Sequence, residues 1–144
     1  ASALVTGNTV VLQPAETTPL CAHLLTEIFI EAGLPKGVWN VVYGAGELVG
    51  EALVDDPRVA AVSFTGSNEI GHRVYARGAA ARKKVQCEMG GKNAIIVLAD
   101  ADLELAATAA VQGAFHSTGQ RCTATSRAVV DKAVLEPFLK LVLD

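Results

Sequence analysis

One thiol has the surroundings that covalent catalysis requires. Cys122 lies in the segment Ser117–Ala124 (STGQRCTA), where its neighbours are a glycine, an amide, a guanidinium and hydroxyls. A structural cysteine usually has apolar neighbours, whereas a polar and partly electropositive setting is typical of a reactive thiol. These observations alone favour a nucleophile and a structural thiol about equally.

One carboxylate is placed where it could accept a proton. Glu88 lies in the segment 87–93 (CEMGGKN), at the end of a predicted strand and just before Gly90-Gly91, the predicted junction of two domains. A carboxylate in a cleft between domains is well placed for proton transfer. An ion pair with Lys92 or Arg82 would also explain this glutamate.

Two glycine-containing segments join a predicted strand to a predicted helix. The first, Gly44–Gly50, has the pattern G-x-G-x-x-x-G, one residue longer than the dinucleotide fingerprint, so Gly46 and Gly50 are weak candidates for cofactor contacts. The second is Phe64–Ser67 (FTGS), followed by Gly71, where free N–H groups and the helix dipole could bind a pyrophosphate. A plain turn and a helix cap would explain the two segments about as well.

A third candidate for nucleotide binding is the segment Gln13–Glu16 (QPAE), at the end of the first predicted strand. The Glu16 carboxylate could accept hydrogen bonds from both hydroxyls of an adenosine ribose. Considered alone, this residue is more simply explained as a solvated glutamate in a turn.

Composition argues against several other classes of function. The 144 residues carry 12 Lys and Arg against 15 Asp and Glu, a net charge of −3, which offers no basic surface to nucleic acid or an anionic membrane. No apolar run approaches the roughly 20 residues that span a bilayer, and no signal peptide is visible, so a cytoplasmic protein is expected. A hydrolase is disfavoured because no G-x-S-x-G elbow is present.

The cysteine pattern argues against a disulfide framework or a metal site. The three cysteines are odd in number and far apart, and neither a C-x-x-C pair nor histidines at metal-ligand spacing occur. Cys21, on a predicted helix, and Cys87, on the side of its strand opposite to Glu88, are therefore expected to be core residues.

Strands and helices must alternate to position these side chains. Apolar and β-branched runs predict strands, and capping residues with helical periodicity predict helices. The predicted strands are 9–12, which is expected to be buried, 38–43, 59–64, 84–88, 94–98 and 127–131. Helices are predicted after Thr18, at 47–54, at 67–76, at 102–115 and near Pro137, with Thr18 and Ser67 as predicted caps. The first of these helices has a predicted apolar face of Leu20, Leu24, Leu25 and Ile28. Such alternation is typical of an α/β fold with an open, doubly wound, Rossmann-like parallel sheet. Residues 1–89 are then expected to belong to a cofactor-binding domain, and residues 90–144 to begin a second α/β domain that bears the cysteine.

Taken together, the motifs resemble those of the aldehyde dehydrogenase superfamily. Residues 7–16 resemble the family's first cofactor motif, residues 64–71 its phosphate-side motif, residues 88–93 its glutamate motif and residues 119–122 its cysteine motif. They occur in the family's order, and Glu88 precedes Cys122 by 34 residues, as in the family. This agreement is far more specific than any single glycine segment.

The resemblance implies a covalent mechanism with NAD or NADP as the cofactor. Cys122 would attack the aldehyde, and its N–H together with an asparagine upstream of this chain would hold the oxyanion. Glu88 would activate the water that hydrolyses the thioester. The implied cofactor contacts are Gln13, Glu16, Gly46, Gly50, Phe64, Thr65, Gly66, Ser67, Gly71, Met89 and Gly90.

Departures from the family pattern refine these expectations. Gln13 stands where the family usually has a lysine, and Glu16 would repel a 2′-phosphate, so NAD is favoured over NADP. The cysteine segment is similar to that of α-ketoglutaric semialdehyde (2,5-dioxopentanoate) dehydrogenases, and Arg121 beside the thiol would suit an acidic semialdehyde. Because the upstream asparagine and most of the catalytic domain are missing, we expect a fragment without turnover of its own, from a parent enzyme that is a homodimer or homotetramer. The alternative is a nucleotide-binding module that is catalytically incomplete.

Overall fold

The computed structural model describes residues 2–144. Helices and strands alternate along this part of the chain, which confirms the predicted α/β class. Their order is α1 (Ser2–Val5), β1 (Val10–Leu12), α2 (Pro19–Glu31), β2 (Trp39–Val41), a π-helical turn (Gly46–Gly50), α3 (Glu51–Asp55), β3 (Ala61–Gly66), α4 (Asn68–Ala80), β4 (Lys84–Met89), β5 (Asn93–Val97), α5 (Leu103–Phe115), a 3₁₀ turn (His116–Gly119), β6 (Thr125–Val130), a 3₁₀ turn (Lys132–Val134) and α6 (Leu135–Leu143). Across the described residues, no helix has the length and apolar character needed to cross a membrane.

The strands pair in chain order, β1 with β2, β3 with β4 and β5 with β6. The β1–β2 and β5–β6 pairs are parallel, which is the arrangement that a helical crossover between two strands produces. In the β5–β6 pair Asn93 lies opposite Thr125, but Ala94 lies opposite Arg127. Ser126 is therefore an extra residue on β6, a β-bulge at the beginning of this strand pair.

The chain divides into two compact units. The first contains the residues up to Ser63 together with Arg73–Gln86, and the second contains Phe64–His72 together with Cys87–Asp144. The boundary between residues 89 and 90 concerns the domains of a longer protein, and it stays a prediction.

Helix α2 of the first unit begins where the sequence indicated, but for a different reason. Thr18 is the N-cap residue, yet its side chain makes no capping hydrogen bond, so the prediction that Thr18 caps the helix is wrong. Pro19 instead begins the helix, because its fixed φ suits a first turn. The helix ends just before Gly33, which has a left-handed φ of 80° and thereby turns the chain away from the helix axis.

The face of α2 that packs is the one that meets β2. The rings of Phe29 and Trp39 lie edge to face with centroids 5.0 Å apart, and Trp39 Nε1 donates to Thr26 Oγ1 at 2.9 Å. Cys21 immediately precedes the buried Ala22, so it points about 100° away from Ala22 around the helix, and it is exposed. The prediction that Cys21 is a core residue is therefore wrong, whereas Cys87 is half-buried.

The first unit leaves apolar side chains uncovered that the sequence pattern assigns to a core. Strand β1 was predicted to be buried, but 45% of Val11 is exposed. The predicted apolar face of α2 is also largely exposed, at Leu20, Leu24, Leu25 and Ile28. The helix-like periodicity is thus correct, but none of the described residues of this unit covers that face.

The second unit has a small core between its strand pair and two helices. Val97 and Phe138 are almost fully buried and pack with Ala107 and Ala110 of α5. The alanines allow α5 to approach closely, and Gly113 continues this contact, since a Cβ atom there would lie 2.5 Å from Thr125 Oγ1. The end of α5 is therefore held against the beginning of β6, and the segment that joins them carries Cys122.

Candidate active site

Cys122 lies in a tight turn between α5 and β6. The Ala124 N–H donates to the Arg121 carbonyl at 3.0 Å, which closes a β-turn with Cys122 and Thr123 as its central residues. The Cys122 side chain is exposed. The thiol is therefore accessible, as a nucleophile must be.

The backbone that leads into this turn is left-handed at three consecutive residues. The φ angles are 53° at Ser117, 56° at Thr118 and 69° at Gly119. Glycine adopts such angles freely, whereas residues with a Cβ atom do so at a cost of about 1–3 kcal/mol each. Local hydrogen bonds offset this cost, since Thr118 Oγ1 donates to the Ser117 carbonyl at 2.7 Å and Arg121 Nε donates to Ser117 Oγ at 3.1 Å.

The peptide unit between Arg121 and Cys122 has a defined orientation. Its carbonyl oxygen accepts the hydrogen bond that closes the turn, and in a trans peptide the N–H points the opposite way. Among the described residues, the Cys122 N–H has no acceptor. It is thus available to a negatively charged oxygen that forms next to the thiol.

Asn93 connects the glutamate segment to the cysteine turn. Its Nδ2 donates to the carbonyl of Cys122 at 2.7 Å and to that of Ala124 at 3.4 Å. Its own carbonyl accepts a hydrogen bond from Ser126 Oγ at 3.2 Å. Sequence reasoning gave Asn93 no role, although its place as the last residue of the glutamate motif was a usable signal.

Glu88 is the penultimate residue of β4, and its side chain is exposed. The neighbouring side chains of Cys87 and Met89 are half-buried, and the Cys87 thiol donates to the Gly71 carbonyl at 3.5 Å. This alternation agrees with the expectation that Cys87 and Glu88 face opposite sides of the strand. Glu88 and Cys122 belong to the same compact unit.

The predicted phosphate-side segment joins β3 to α4. Ser67 Oγ accepts a hydrogen bond from the Ile70 N–H at 3.3 Å, so Ser67 caps α4 as predicted. Phe64 and Thr65 end the strand with Gly66. A Cβ atom on Gly66 would lie 2.5 Å from Phe64 Cζ, so the phenyl ring lies directly against the glycine backbone.

Gly71 brings this segment together with Met89. Gly71 is buried, and a Cβ atom on it would overlap the Met89 thioether, 2.8 Å from its Cγ, and would lie 3.3 Å from Phe64 Cε1. Four predicted cofactor residues, Phe64, Gly66, Gly71 and Met89, therefore form one cluster in the second unit. Gly90 follows, with open space around its Cα.

The remaining predicted cofactor residues form a cluster in the first unit. Gln13 Nε2 donates to the Gly44 carbonyl at 3.1 Å, and the Gly46 N–H donates to Glu16 Oε1 at 2.8 Å. A Cβ atom on Gly50 would lie 3.1 Å from Gln13 Oε1. These contacts hold the ends of β1 and β2 together, beside a cleft of about 370 Å³ that Glu16 lines with Pro14, Ala15, Pro19, Tyr43, Gly44 and Ala45.

Ion pairs of the first unit lie outside that cluster. Arg77 pairs with Glu51 and Asp55, which raises the pKa of its guanidinium, and Arg73 pairs with Glu51 at 2.6 Å. These pairs join α3 to α4. None of the predicted cofactor residues takes part in these pairs.

Comparison with protein families identifies the chain. Residues 1–144 match the model of the aldehyde dehydrogenase family. The chain belongs to this family. The predicted family is thereby confirmed.

Curated relatives span a range of named activities. The chain is 52% identical to the α-ketoglutaric semialdehyde dehydrogenase of Bacillus subtilis, over 99% of this chain and 29% of the relative. It is 49% identical to the 2,5-dioxopentanoate dehydrogenase of Saccharolobus solfataricus, over 100% of this chain and 30% of the relative. It is 48% identical to the 1-pyrroline-5-carboxylate dehydrogenase of Geobacillus thermodenitrificans, over 99% and 29%. The chain therefore spans less than a third of the length of these relatives.

Solved structures of the family have the same fold over this region. Betaine aldehyde dehydrogenase from Staphylococcus aureus in complex with NAD+ superposes with a TM-score of 0.93 at 38% identity, over 100% of this chain and 28% of that structure. A 3,6-anhydro-L-galactose dehydrogenase in complex with NAP gives a TM-score of 0.92 at 40% identity, over 98% and 30%. The predicted Rossmann-type α/β fold is thereby confirmed.

Proposed function

We propose that the protein containing this chain oxidises an aldehyde to a carboxylic acid, with Cys122 as the nucleophile and Glu88 as the general base. The observation that carries the proposal is the accessible Cys122 thiol, together with the backbone N–H of the same residue, which has no acceptor among the described residues. Family membership supports it, and so does the presence of an exposed Glu88 in the same compact unit.

The chemistry proceeds through a covalent intermediate on Cys122. The thiolate adds to the aldehyde carbon, a C–S bond forms, and the carbonyl electrons move to oxygen, where the Cys122 N–H donates to the developing charge. NAD or NADP, held by the predicted cofactor residues, would supply the hydride acceptor, and loss of hydride from this carbon would leave a thioester on Cys122. Glu88 then takes a proton from the attacking water, the C–S bond breaks, and the acid leaves with the thiolate restored.

The first unit fits the adenosine end of a dinucleotide. Glu16 lines the cleft, and its Oε1 accepts a hydrogen bond from the Gly46 N–H. Its Oε2 accepts no hydrogen bond from the described residues. A carboxylate oxygen in this position suits the hydroxyl donors of a ribose. Gln13 is neutral and Glu16 is an anion, so we propose NAD rather than NADP as the preferred cofactor, because a 2′-phosphate would meet repulsion here.

We propose an acidic semialdehyde as the substrate. Arg121 precedes the nucleophile, and its Nε bond to Ser117 uses one of five N–H donors, so the terminal fork has no partner among the described residues. That fork suits a carboxylate. The names of three relatives support this choice, because α-ketoglutaric semialdehyde, which is the same compound as 2,5-dioxopentanoate, and 1-pyrroline-5-carboxylate both carry a carboxylate.

The decisive experiment replaces Glu88 with glutamine in the full-length protein. The hydride burst on mixing with NAD and aldehyde should remain, while steady turnover should fall by about 10²- to 10⁴-fold, since the base acts only on the thioester. Cys122→Ser should abolish the burst. Cys21→Ser, which also removes an exposed thiol, is the matched control and should keep full activity. A lost burst with normal hydrolysis of the acyl-enzyme would refute the role of Glu88.

A second candidate applies to the 144-residue chain alone. Since it spans less than a third of its relatives, we propose that it binds nucleotide without turning over, and NADH formation by the isolated chain would contradict this. For the parent enzyme we propose a cytoplasmic homodimer or homotetramer without a nucleic-acid or membrane partner, on family likeness and the net charge of −3. Size-exclusion chromatography with light scattering tests the oligomeric state.

A further inference from the structure

We propose that Asn93 is a positioning residue that fixes the turn of Cys122, and with it the direction of the Cys122 N–H. The inference rests on the proposed function, because it assigns a task to the nucleophile's own backbone. It adds a residue for which the sequence motifs indicate no role.

The first support is the pair of hydrogen bonds from one amide group. Asn93 Nδ2 donates to the Cys122 carbonyl at 2.7 Å and to the Ala124 carbonyl at 3.4 Å. These two carbonyls flank Thr123, the last central residue of the turn that the Ala124 N–H closes on Arg121. Asn93 thus bonds to two of the four residues of this turn, Cys122 and Ala124.

The second support is the consequence for the oxyanion donor. The Ala124–Arg121 hydrogen bond fixes the peptide unit that contains the Cys122 N–H, and it forms only while Ala124 keeps its place. Asn93 bonds to the carbonyls of Cys122 and Ala124, which belong to the peptide units before Thr123 and after Ala124, and so keeps Ala124 in place. An oxyanion donor must point at its target before the charge develops, because it acts through preorganisation.

The third support is the close packing of Gly91 and Ser126 around this hydrogen bond. A Cβ atom on Gly91 would lie 3.0 Å from both Asn93 Nδ2 and the Cys122 oxygen, so Gly91 passes directly over the hydrogen bond. Ser126, the bulge residue of β6, donates to the Asn93 carbonyl at 3.2 Å. The glycine and the bulge together place Asn93 opposite the turn.

Asn93→Asp in the full-length enzyme tests the inference with little change in shape. The carboxylate loses the donor and faces two carbonyl oxygens, so the turn should shift. The rate of the hydride burst should fall by about 10- to 100-fold, as expected when an oxyanion donor is misplaced, with little change in the KM for aldehyde. A residue that supports only the fold would lower Tm without this split between kcat and KM.

Asn40→Asp is the matched control. Asn40 is also an exposed strand residue, and its Nδ2 also donates to two main-chain carbonyls, those of Val10 at 3.2 Å and Gly37 at 2.9 Å. This variant loses the same kind of interaction in the first unit. Its burst rate should equal that of the unsubstituted enzyme.

Gly91→Ala disturbs the same bond without replacing Asn93, and it serves if Asn93→Asp fails to fold. It should slow the burst, and the double variant should be no slower than the slower single variant, since both act through one contact. Three results would each overturn the inference while the proposed function stands. They are a normal burst in Asn93→Asp, additive effects in the double variant, and an equal loss of burst rate in Asn40→Asp. An unsubstituted enzyme without an aldehyde-dependent burst would instead overturn the proposed function, and this role of Asn93 with it.

Discussion

Replacing Gly71 with alanine should weaken NAD binding by the parent enzyme. Gly71 lies in α4, and a methyl group there would overlap the Met89 thioether and come within 3.3 Å of Phe64 Cε1. Phe64 and Met89 are predicted cofactor contacts in the same unit. Because Gly71 is buried against both side chains, the new methyl group can be accommodated only if they move.

The size of the effect follows from the kind of overlap. Extra methyl groups in packed regions cost about 1–3 kcal/mol, and Met89 is a flexible side chain that can relieve part of this strain by rotation. We therefore expect about 1–2 kcal/mol to appear in binding, which is about a 5- to 30-fold increase in Kd. The helix itself gains up to about 1 kcal/mol from Gly→Ala, so a large loss of Tm is not expected.

Gly78→Ala provides the matched control for this experiment. Gly78 is also a buried glycine of α4, seven residues and thus about two turns further on, and its Cβ atom would lie 2.5 Å from Val85 Cγ2 of β4. Fluorescence titration with NAD should show a weaker Kd for Gly71→Ala and an unchanged Kd for Gly78→Ala. An unchanged Kd in Gly71→Ala, with a Tm change equal to that of Gly78→Ala, would refute the cofactor role of this cluster.

Two further predictions concern specificity in the full-length enzyme. Arg121→Gln should lower kcat/KM for an acidic semialdehyde by about 10- to 150-fold, because a hydrogen bond to a charged group is worth about 1.5–3 kcal/mol. An equal loss with an uncharged aldehyde would show that Arg121 is structural. Gln13→Lys should improve kcat/KM with NADP by about fivefold, because an exposed charge pair between the lysine and the 2′-phosphate contributes up to about 1 kcal/mol. A clear preference of the unsubstituted enzyme for NADP would contradict the role given to Glu16 and Gln13.

The sequence predicted the order of elements well because each has local signals. Ser67 caps α4 as predicted, and Asp102 caps α5 by accepting from the Leu105 N–H at 3.1 Å. The errors concern burial. Cys21 and Val11 are apolar in pattern but exposed here, since periodicity shows which face of an element could pack and not whether anything covers it.

The geometry of the site follows from one feature that no local signal contains, the parallel pairing of β5 with β6. The glutamate segment enters β5 at Asn93, and the cysteine turn enters β6 at Thr125, and these two residues lie opposite each other. Parallel pairing brings the starting ends of two strands side by side, so residues 29 apart in the chain, Asn93 and Cys122, come within hydrogen-bonding distance. Shifting the register by one residue would turn Asn93 to the other face of the pair. The bulge at Ser126 marks where this register changes, which makes the start of the strand pair the part of the fold on which the position of Cys122 depends.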